Sequence, residues 1–268
     1  MLVLTSTTGN LGSRILHTIL REKLIPPSKL IISSTKPSQV STAAHEAGID
    51  IRQGDYTSPE SLASSFRGSD ALFLVSFPSA SVERWLYHKA AIDAAKAVGV
   101  RTIIYTSLMF GGETGLDSIA GVQQAHIKTI EYLVQSGLQY VIVREGIYAE
   151  YWSVYAGFQP QKYHKGDSTE IRFVIPNDGP VAWVTTDDLA QGRRVKVDIV
   201  GREEAQRYHK YEKKSMPADK LWVVDSWSGW HDAMARGETA LVDPLLADLL
   251  GRQPNGVEEM AEQYFKPV

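Results

Sequence analysis

Cysteine is absent from all 268 residues. Its absence excludes disulfides, thiolate-held zinc and cysteine nucleophiles together. Lysine and arginine number 28 against 31 acidic residues, a net charge of −3. No basic run is dense enough to track a phosphate backbone, so nucleic acid is not expected as a partner. No apolar stretch reaches the ~20 residues that a membrane span needs. The first strand pattern begins at Leu2 and leaves no room for a leader, so a soluble, cytoplasmic protein is the expectation. The hydrophobic share of 43% and charged share of 22% suit a chain that buries a core, as one large domain or a domain with a smaller lobe.

Several catalytic signatures are missing as well. None of the seven histidines pairs with another at helical spacing, and no carboxylates gather around them, which argues against a metal centre. There is no G-x-S-x-G elbow for nucleophilic hydrolysis. No tyrosine has lysine four residues later: Tyr105 leads to Met109, Tyr132 to Ser136 and Tyr140 to Arg144. Carbonyl reduction driven by a lysine-activated tyrosine is therefore excluded.

What is present begins at residues 2–12, Leu-Val-Leu-Thr-Ser-Thr-Thr-Gly-Asn-Leu-Gly. A short apolar run stops at a small-residue turn, and an amphipathic stretch follows at once. This strand–turn–helix presents backbone N–H groups and a positive helix end to a dinucleotide pyrophosphate. The spacing G-x-x-G-x-x-G would place glycines at 6, 9 and 12, but position 6 is Ser6; Gly9 and Gly12 remain.

Strand and helix signals then alternate. Lys29–Ile32, Asp50–Arg52, Ala71–Val75, Thr102–Tyr105 and Tyr140–Val143 read as strands. The intervening helices fall at Ser38–Ala47, from Ser58-Pro59 onward, at Val82–Val98 and near Ala120–Gln135. Short apolar strands between amphipathic helices predict an α/β fold with a doubly wound parallel sheet, ligands lying at the strand C-terminal ends. Past residue 150 the regular alternation stops, which predicts a sheet domain over 1–150 and a smaller irregular, helical substrate lobe over 151–268. Within that lobe Arg202–Lys214 reads as a solvated helix, and further helices are expected around Trp227–Arg236, Asp243–Leu250 and Val257–Phe265.

Four predicted strand ends carry polar or aromatic residues: Ser33-Ser34-Thr35-Lys36, Asp55-Tyr56, Ser76-Phe77-Pro78 and Thr106-Ser107-Leu108. Hydroxyls with a lysine at the second strand end suit a ribose 2′-phosphate, so a bound dinucleotide is expected to be NADP(H) rather than NAD(H). His126, on the helix after the fifth strand, is the acid–base candidate, with a single structural hydrogen bond as its alternative reading. Tyr148, Tyr151, Trp152, Tyr155 and Phe158 cluster after Arg144-Glu145-Gly146 and could roof a flat apolar substrate, with Phe110 and Trp183 as further walls.

Thr5-Ser-Thr-Thr-Gly-Asn-Leu-Gly12, Gly54-Asp55-Tyr56, Tyr105-Thr106-Ser107-Leu108, Ala125-His126 through Tyr132-Leu133, Val143 through Tyr148 and Trp183 through Ala190 together resemble the NmrA-like atypical short-chain dehydrogenases. The branch they resemble is the NADPH-dependent quinone oxidoreductases of the bacterial type-2 kind and their fungal relatives. The resemblance implies a Rossmann-like domain with NADPH as cofactor. It places Thr8, Gly9, Asn10, Leu11 and Gly12 at the pyrophosphate, and Thr35 with Lys36 at the 2′-phosphate. Asp55 and Tyr56 would lie by adenine, Ser76 and Phe77 on the nicotinamide side, and the His126 helix against the substrate. Two departures stand out. Ser6 replaces the family's glycine, and Arg193-Arg194-Val195-Lys196-Val197 follows Gly192 directly where the family has on the order of 30 further residues, so the lobe is expected to be truncated.

Three functions remain open at this level. One is an NADPH-dependent reductase of a flat conjugated acceptor, a quinone or enone, in which His126 or water supplies the proton. Another is a cofactor-independent isomerase, cyclase or dehydratase on the same fold. The third is a non-enzymatic sensor of NADP(H). The expected partner is a small aromatic or conjugated molecule; a homodimer is compatible with the sequence.

Overall fold

Alternation within the first strand sets the layers. In β1 (Leu2–Thr5), Val3 and Leu4 are both fully buried but point to opposite faces. Val3 joins Ile31, Leu72 and Ile103 in a core closed by Leu62, Phe66, Ala91 and Ile92. Leu4 joins Leu30 and Ile32 in a second core with Leu16, Ile19 and Ala44. A sheet buried on both faces needs helices on both, and the short apolar strands supply no polar face that could be left wet.

In a computed structural model of the protein, which describes residues 1–112, 114–148, 170–177, 179, 183–184, 194–214, 216–240 and 248, this arrangement is realised. The elements run β1, α1 (Asn10–Arg21), β2 (Leu30–Ser34), α2 (Thr42–Glu46), β3 (Asp50–Gln53), α3 (Pro59–Phe66), β4 (Ala71–Leu74), α4 (Trp85–Ala97), β5 (Thr102–Leu108), α5 (Gly121–Ser136) and β6 (Gln139–Glu145). The strands form one sheet in the order β3-β2-β1-β4-β5-β6, with parallel pairing from β3 through β5. The reversal between β1 and β4 is the switch point at which such sheets receive ligands. α1 and α2 cover one face, α3 and α4 the other. The predicted cap is present: Ser58 Oγ accepts from Ser61 N at 3.3 Å, ahead of Pro59 in the first turn of α3.

The chain divides into two units, 1–107 with 125–144, and 108–124 with 145–268. The sequence predicts a single boundary at 150. The structure instead assigns 108–124 to the second unit, because Phe110, Ala120 and Val122 pack with Ala233 and Met234. The second unit holds β7 (Ile147–Tyr148), β8 (Glu170–Ile175), β9 (Trp183–Val184), β10 (Arg194–Ile199), α6 (Arg202–Arg207) and α7 (Trp222–Ala235). β7 pairs parallel with β9, and β8 parallel with β10. The polar segment expected as a solvated helix buries Ala205 and His209, which pack with Trp227 of α7. The helices expected at Asp243–Leu250 and Val257–Phe265 lie outside the described residues, Asp248 apart. No described helix is long and apolar enough to cross a membrane.

The turn between β1 and α1 holds a non-glycine residue in an unfavourable conformation. Ser6 sits at φ +57°, in the left-handed region, where a side chain costs about 1–2 kcal/mol. Ser6→Gly is therefore expected to stabilise the fold by about 0.5–1 kcal/mol after glycine's own chain entropy is counted. Urea denaturation checks it, as a raised midpoint at unchanged slope.

Candidate active site

A strand that must feed straight into a helix leaves its connecting backbone exposed and short of partners. Here the Ser6 carbonyl accepts from Gly9 N at 2.9 Å, which folds the turn. Gly9 is the N-cap of α1, so no side chain caps the helix, and no acidic residue occupies its first turn. The first N–H groups of the helix thus lack a side-chain cap, an arrangement that suits an anion. A Cβ on Gly12 would lie 2.2 Å from the Ser6 oxygen, so the helix packs against the turn at a distance only glycine allows. Thr8, Gly9 and Asn10 are exposed and Leu11 half-buried. Thr7 is different: its hydroxyl is buried with no hydrogen-bond partner among the described residues. These features fit a dinucleotide phosphate group.

At the second strand end, Thr35 and Lys36 are exposed. Ser34 Oγ accepts from Lys36 N at 3.1 Å, and Gln53 Nε2 donates to the Thr35 carbonyl at 3.0 Å, so backbone bonds shape this loop and leave both side chains to solvent. Ser33, expected with them, is buried and shares a hydrogen bond with Ser65 Oγ at 2.8 Å. Asp55 accepts from both the backbone N–H and the hydroxyl of Thr57, which hold its carboxyl below the usual range. Tyr56 is buried; its hydroxyl donates to the Val75 carbonyl at 3.3 Å, and its ring meets Phe77 edge-on at 5.5 Å. Burial raises its pKa.

Beneath the loop that leaves β4 lies a network that no spacing in the sequence announces. Phe77 N donates to His88 Nε2 at 2.9 Å, which makes that nitrogen an acceptor and places the proton on Nδ1. His88 Nδ1 then donates to Thr129 Oγ1 at 2.9 Å, and Thr129 passes its own hydrogen to the Ala125 carbonyl at 2.8 Å. His126 repeats the logic. Arg84 Nη2 donates to His126 Nε2, so Nδ1 carries the proton and donates to Tyr105 Oη at 2.7 Å. The Arg84 guanidinium also donates to the carbonyls of Phe77 and Ser79, at 3.4 and 3.0 Å.

Burial sets the electrostatics of this cluster. It pushes His88 down to about 3 and His126 well below its usual value, with the Arg84 charge acting in the same direction. It pushes Tyr105 up to about 12. Both imidazoles are neutral at pH 7, and both ring nitrogens of His126 already have partners. Thr106 is likewise engaged, accepting from Ser76 N at 2.9 Å. The next residue differs: Ser107 Oγ, at the end of β5, is buried without a partner among the described residues.

In the second unit, Phe110 is packed in the core with Ala120 and Met234 rather than lining a wall. Trp183 pairs with Ile147 through the backbone of β9 and β7. Trp152 and the aromatics after it lie outside the described residues. Tyr148 donates its hydroxyl to Glu145 Oε2, and burial pushes that carboxyl up to about 7.

Residues 7–170 match the family described as NAD(P)H-binding. Quinone oxidoreductase 2 of Escherichia coli is 30% identical over 203 residues, 76% of this chain and 66% of that protein. The NmrA-like family domain-containing oxidoreductase flvB of Aspergillus flavus is 27% identical, the match covering 94% of this chain and 91% of that one. That match runs over 298 positions against a chain of 268, so the relative carries segments this chain lacks. Among solved structures, the Escherichia coli NADPH-dependent quinone oxidoreductase complexed with NADPH aligns at a TM-score of 0.78 and 24% identity, covering 99% of this chain and 100% of that one. The Citrobacter triphenylmethane reductase complexed with NADP(H) aligns at 0.75 and 22%, covering 98% and 100%.

Linkage gives the network a pH signature. As pH falls through their unfolded pKa of 6.5, the buried histidines stay neutral in the folded state, whereas each takes up a further proton in the unfolded chain. Stability then rises with pH, and is lost as pH falls below 6.5. Glu145 acts oppositely between 4.5 and about 7, since its folded carboxyl keeps the proton the unfolded chain has released. Denaturation measured from pH 7 to 5 is expected to show falling stability, and His126→Gln should remove about one proton of that dependence. Taken with the turn, the strand ends and the comparisons, the chain belongs to the NAD(P)H-binding family.

Proposed function

We propose that the chain is an NADPH-dependent reductase of a flat conjugated acceptor, a quinone or an enone. The observation that carries this reading is the β1–α1 turn. It keeps the contour of a phosphate loop even with Ser6 in the glycine position, because Ser6 accepts the left-handed conformation instead of altering the path. Exposed Thr35 and Lys36 support NADPH over NADH, as a hydroxyl and an ammonium suited to a 2′-phosphate. The names of the similar proteins support the same class: a quinone oxidoreductase, an NmrA-like oxidoreductase, and structures holding NADPH or NADP(H).

When bound, the nicotinamide supplies a hydride. The remaining work falls to this chain. The turn from Ser6 to Gly12 and the uncapped start of α1 hold the pyrophosphate, with the Thr7 hydroxyl as a further donor. Ser76 and Phe77 lie on the nicotinamide side, and Arg84 and His88 fix their backbone from below. His126 serves there as a positioning residue: its proton is committed to Tyr105, and its other nitrogen to Arg84. Ser107, with its hydroxyl unspent, is the residue of β5 assigned to ligand contact in place of Thr106. The sequence from Tyr148 to Phe158 is rich in flat rings, a composition that suits a conjugated acceptor. Delocalisation in such an acceptor stabilises the developing anion, which suits a site with few proton donors.

Calorimetry with NADPH, NADP+ and NADH, followed by NADPH oxidation with quinones, tests the reading. Micromolar NADPH affinity, NADH at least tenfold weaker, and turnover with a quinone are expected. Lys36→Ala should weaken NADPH on the order of tenfold, the loss of one charge-assisted contact, and leave NADH unchanged. Cofactor binding without turnover would indicate a sensor, and turnover without nicotinamide an isomerase or cyclase.

A further inference from the structure

Reduction of a quinone consumes one proton for each hydride, and His126 is committed elsewhere. We infer that the Glu145 carboxyl is the acid that protonates the acceptor, with Tyr148 holding it in place. The inference rests on the reductase reading above.

Glu145 closes β6, at the carboxyl ends of the strands, where open α/β sheets receive their ligands. Its backbone is pinned, since its carbonyl accepts from Met109 N at 2.8 Å, just past β5. Its side chain is pinned too, by the Tyr148 hydroxyl, which donates to Oε2 from three residues on. One carboxyl oxygen thereby has a fixed partner, and the transferable proton is assigned to the other. The group is half-buried, and among its surroundings Tyr148 faces it while Arg144 precedes it on the strand. Burial raises the carboxyl to about 7 against the pull of Tyr148, so it holds a proton near neutrality and releases it readily.

The step balances. The acceptor takes a hydride from NADPH, which leaves as NADP+. The O–H bond of the Glu145 carboxyl breaks, and an O–H bond forms on the acceptor oxygen. The carboxylate left behind keeps the Tyr148 hydrogen bond and regains a proton from water. A quinone thus becomes a hydroquinone with one hydride and one proton. A glutamate at this place does what a lysine-activated tyrosine does in the reductases whose motif this chain lacks.

The test uses the full chain as wild type, Glu145→Gln and Glu145→Asp. Infrared difference spectroscopy of the protein alone should show a protonated carboxyl that titrates near pH 7 in wild type and is missing from Glu145→Gln. NADPH oxidation is then compared with benzoquinone, which needs a proton, and with the N-methylacridinium cation, which takes a hydride at carbon and needs none. The quinone-to-cation rate ratio should fall at least about tenfold in Glu145→Gln and recover in part in Glu145→Asp. An absent band, an unchanged ratio, or equal loss with both acceptors would overturn the inference. For a wild type that takes only the quinone, the aspartate variant decides: partial recovery supports the role, and loss equal to that of glutamine removes it. A wild type that oxidises NADPH with neither acceptor removes the reductase reading itself, and the wild-type rate alone reveals that.

Discussion

Arg84, His88 and His126 are buried beneath the loop that leaves β4, and each must find its hydrogen bonds inside the protein. A guanidinium removed from water tolerates few arrangements. Here it donates to the carbonyls of Phe77 and Ser79 and to His126. Because His126 is on α5 and Phe77 follows β4, satisfying that one charge fixes the distance between a loop and a helix. His88 adds a second tie, from α4 to the Phe77 amide and to Thr129. Four elements of the sheet domain are thereby held in one arrangement by polar bonds, where apolar packing alone would allow sliding. The loop so fixed is the one on which the nicotinamide side of the proposed site depends.

The β1–α1 turn of the proposed site works through its backbone. The β1–α1 turn places no charged side chain of its own at the phosphates; it offers N–H groups, an uncapped helix and one spare hydroxyl. Such a site tolerates substitution provided the chain keeps its path, and Ser6 takes the left-handed conformation that the turn requires. The strain at φ +57° is borne by the residue and does not reach Gly12, whose contact with the Ser6 carbonyl is retained.

Most of the sheet domain was legible in the sequence, since its signals are local. Apolar runs, the glycine turn and the Ser58-Pro59 cap each declare themselves within a few residues. The strands at 29–32 and 140–143 were read to within a few residues of where they lie, and α5 to within one. What was not legible depends on partners distant in the chain. Ser33 reads as a ligand residue beside Thr35 and Lys36, but Ser65, 32 residues on, takes its hydroxyl. His126 reads as an acid because its partners, Arg84 and Tyr105, are 42 and 21 residues away. Phe110 reads as a pocket wall, yet α7 covers it. Glu145 reads in the sequence only as part of Arg144-Glu145-Gly146, the segment ahead of the aromatic cluster. Its property arises from burial, which no spacing rule records.

The central claim is that this chain moves a hydride from NADPH to a conjugated carbon or carbonyl acceptor. Incubation with NADPH carrying deuterium at both C4 positions and an enone, followed by mass spectrometry of the product, addresses it directly. One deuterium per reduced product, with one NADPH consumed, is the predicted result. An unlabelled product, or product formed at the same rate without NADPH, would contradict it.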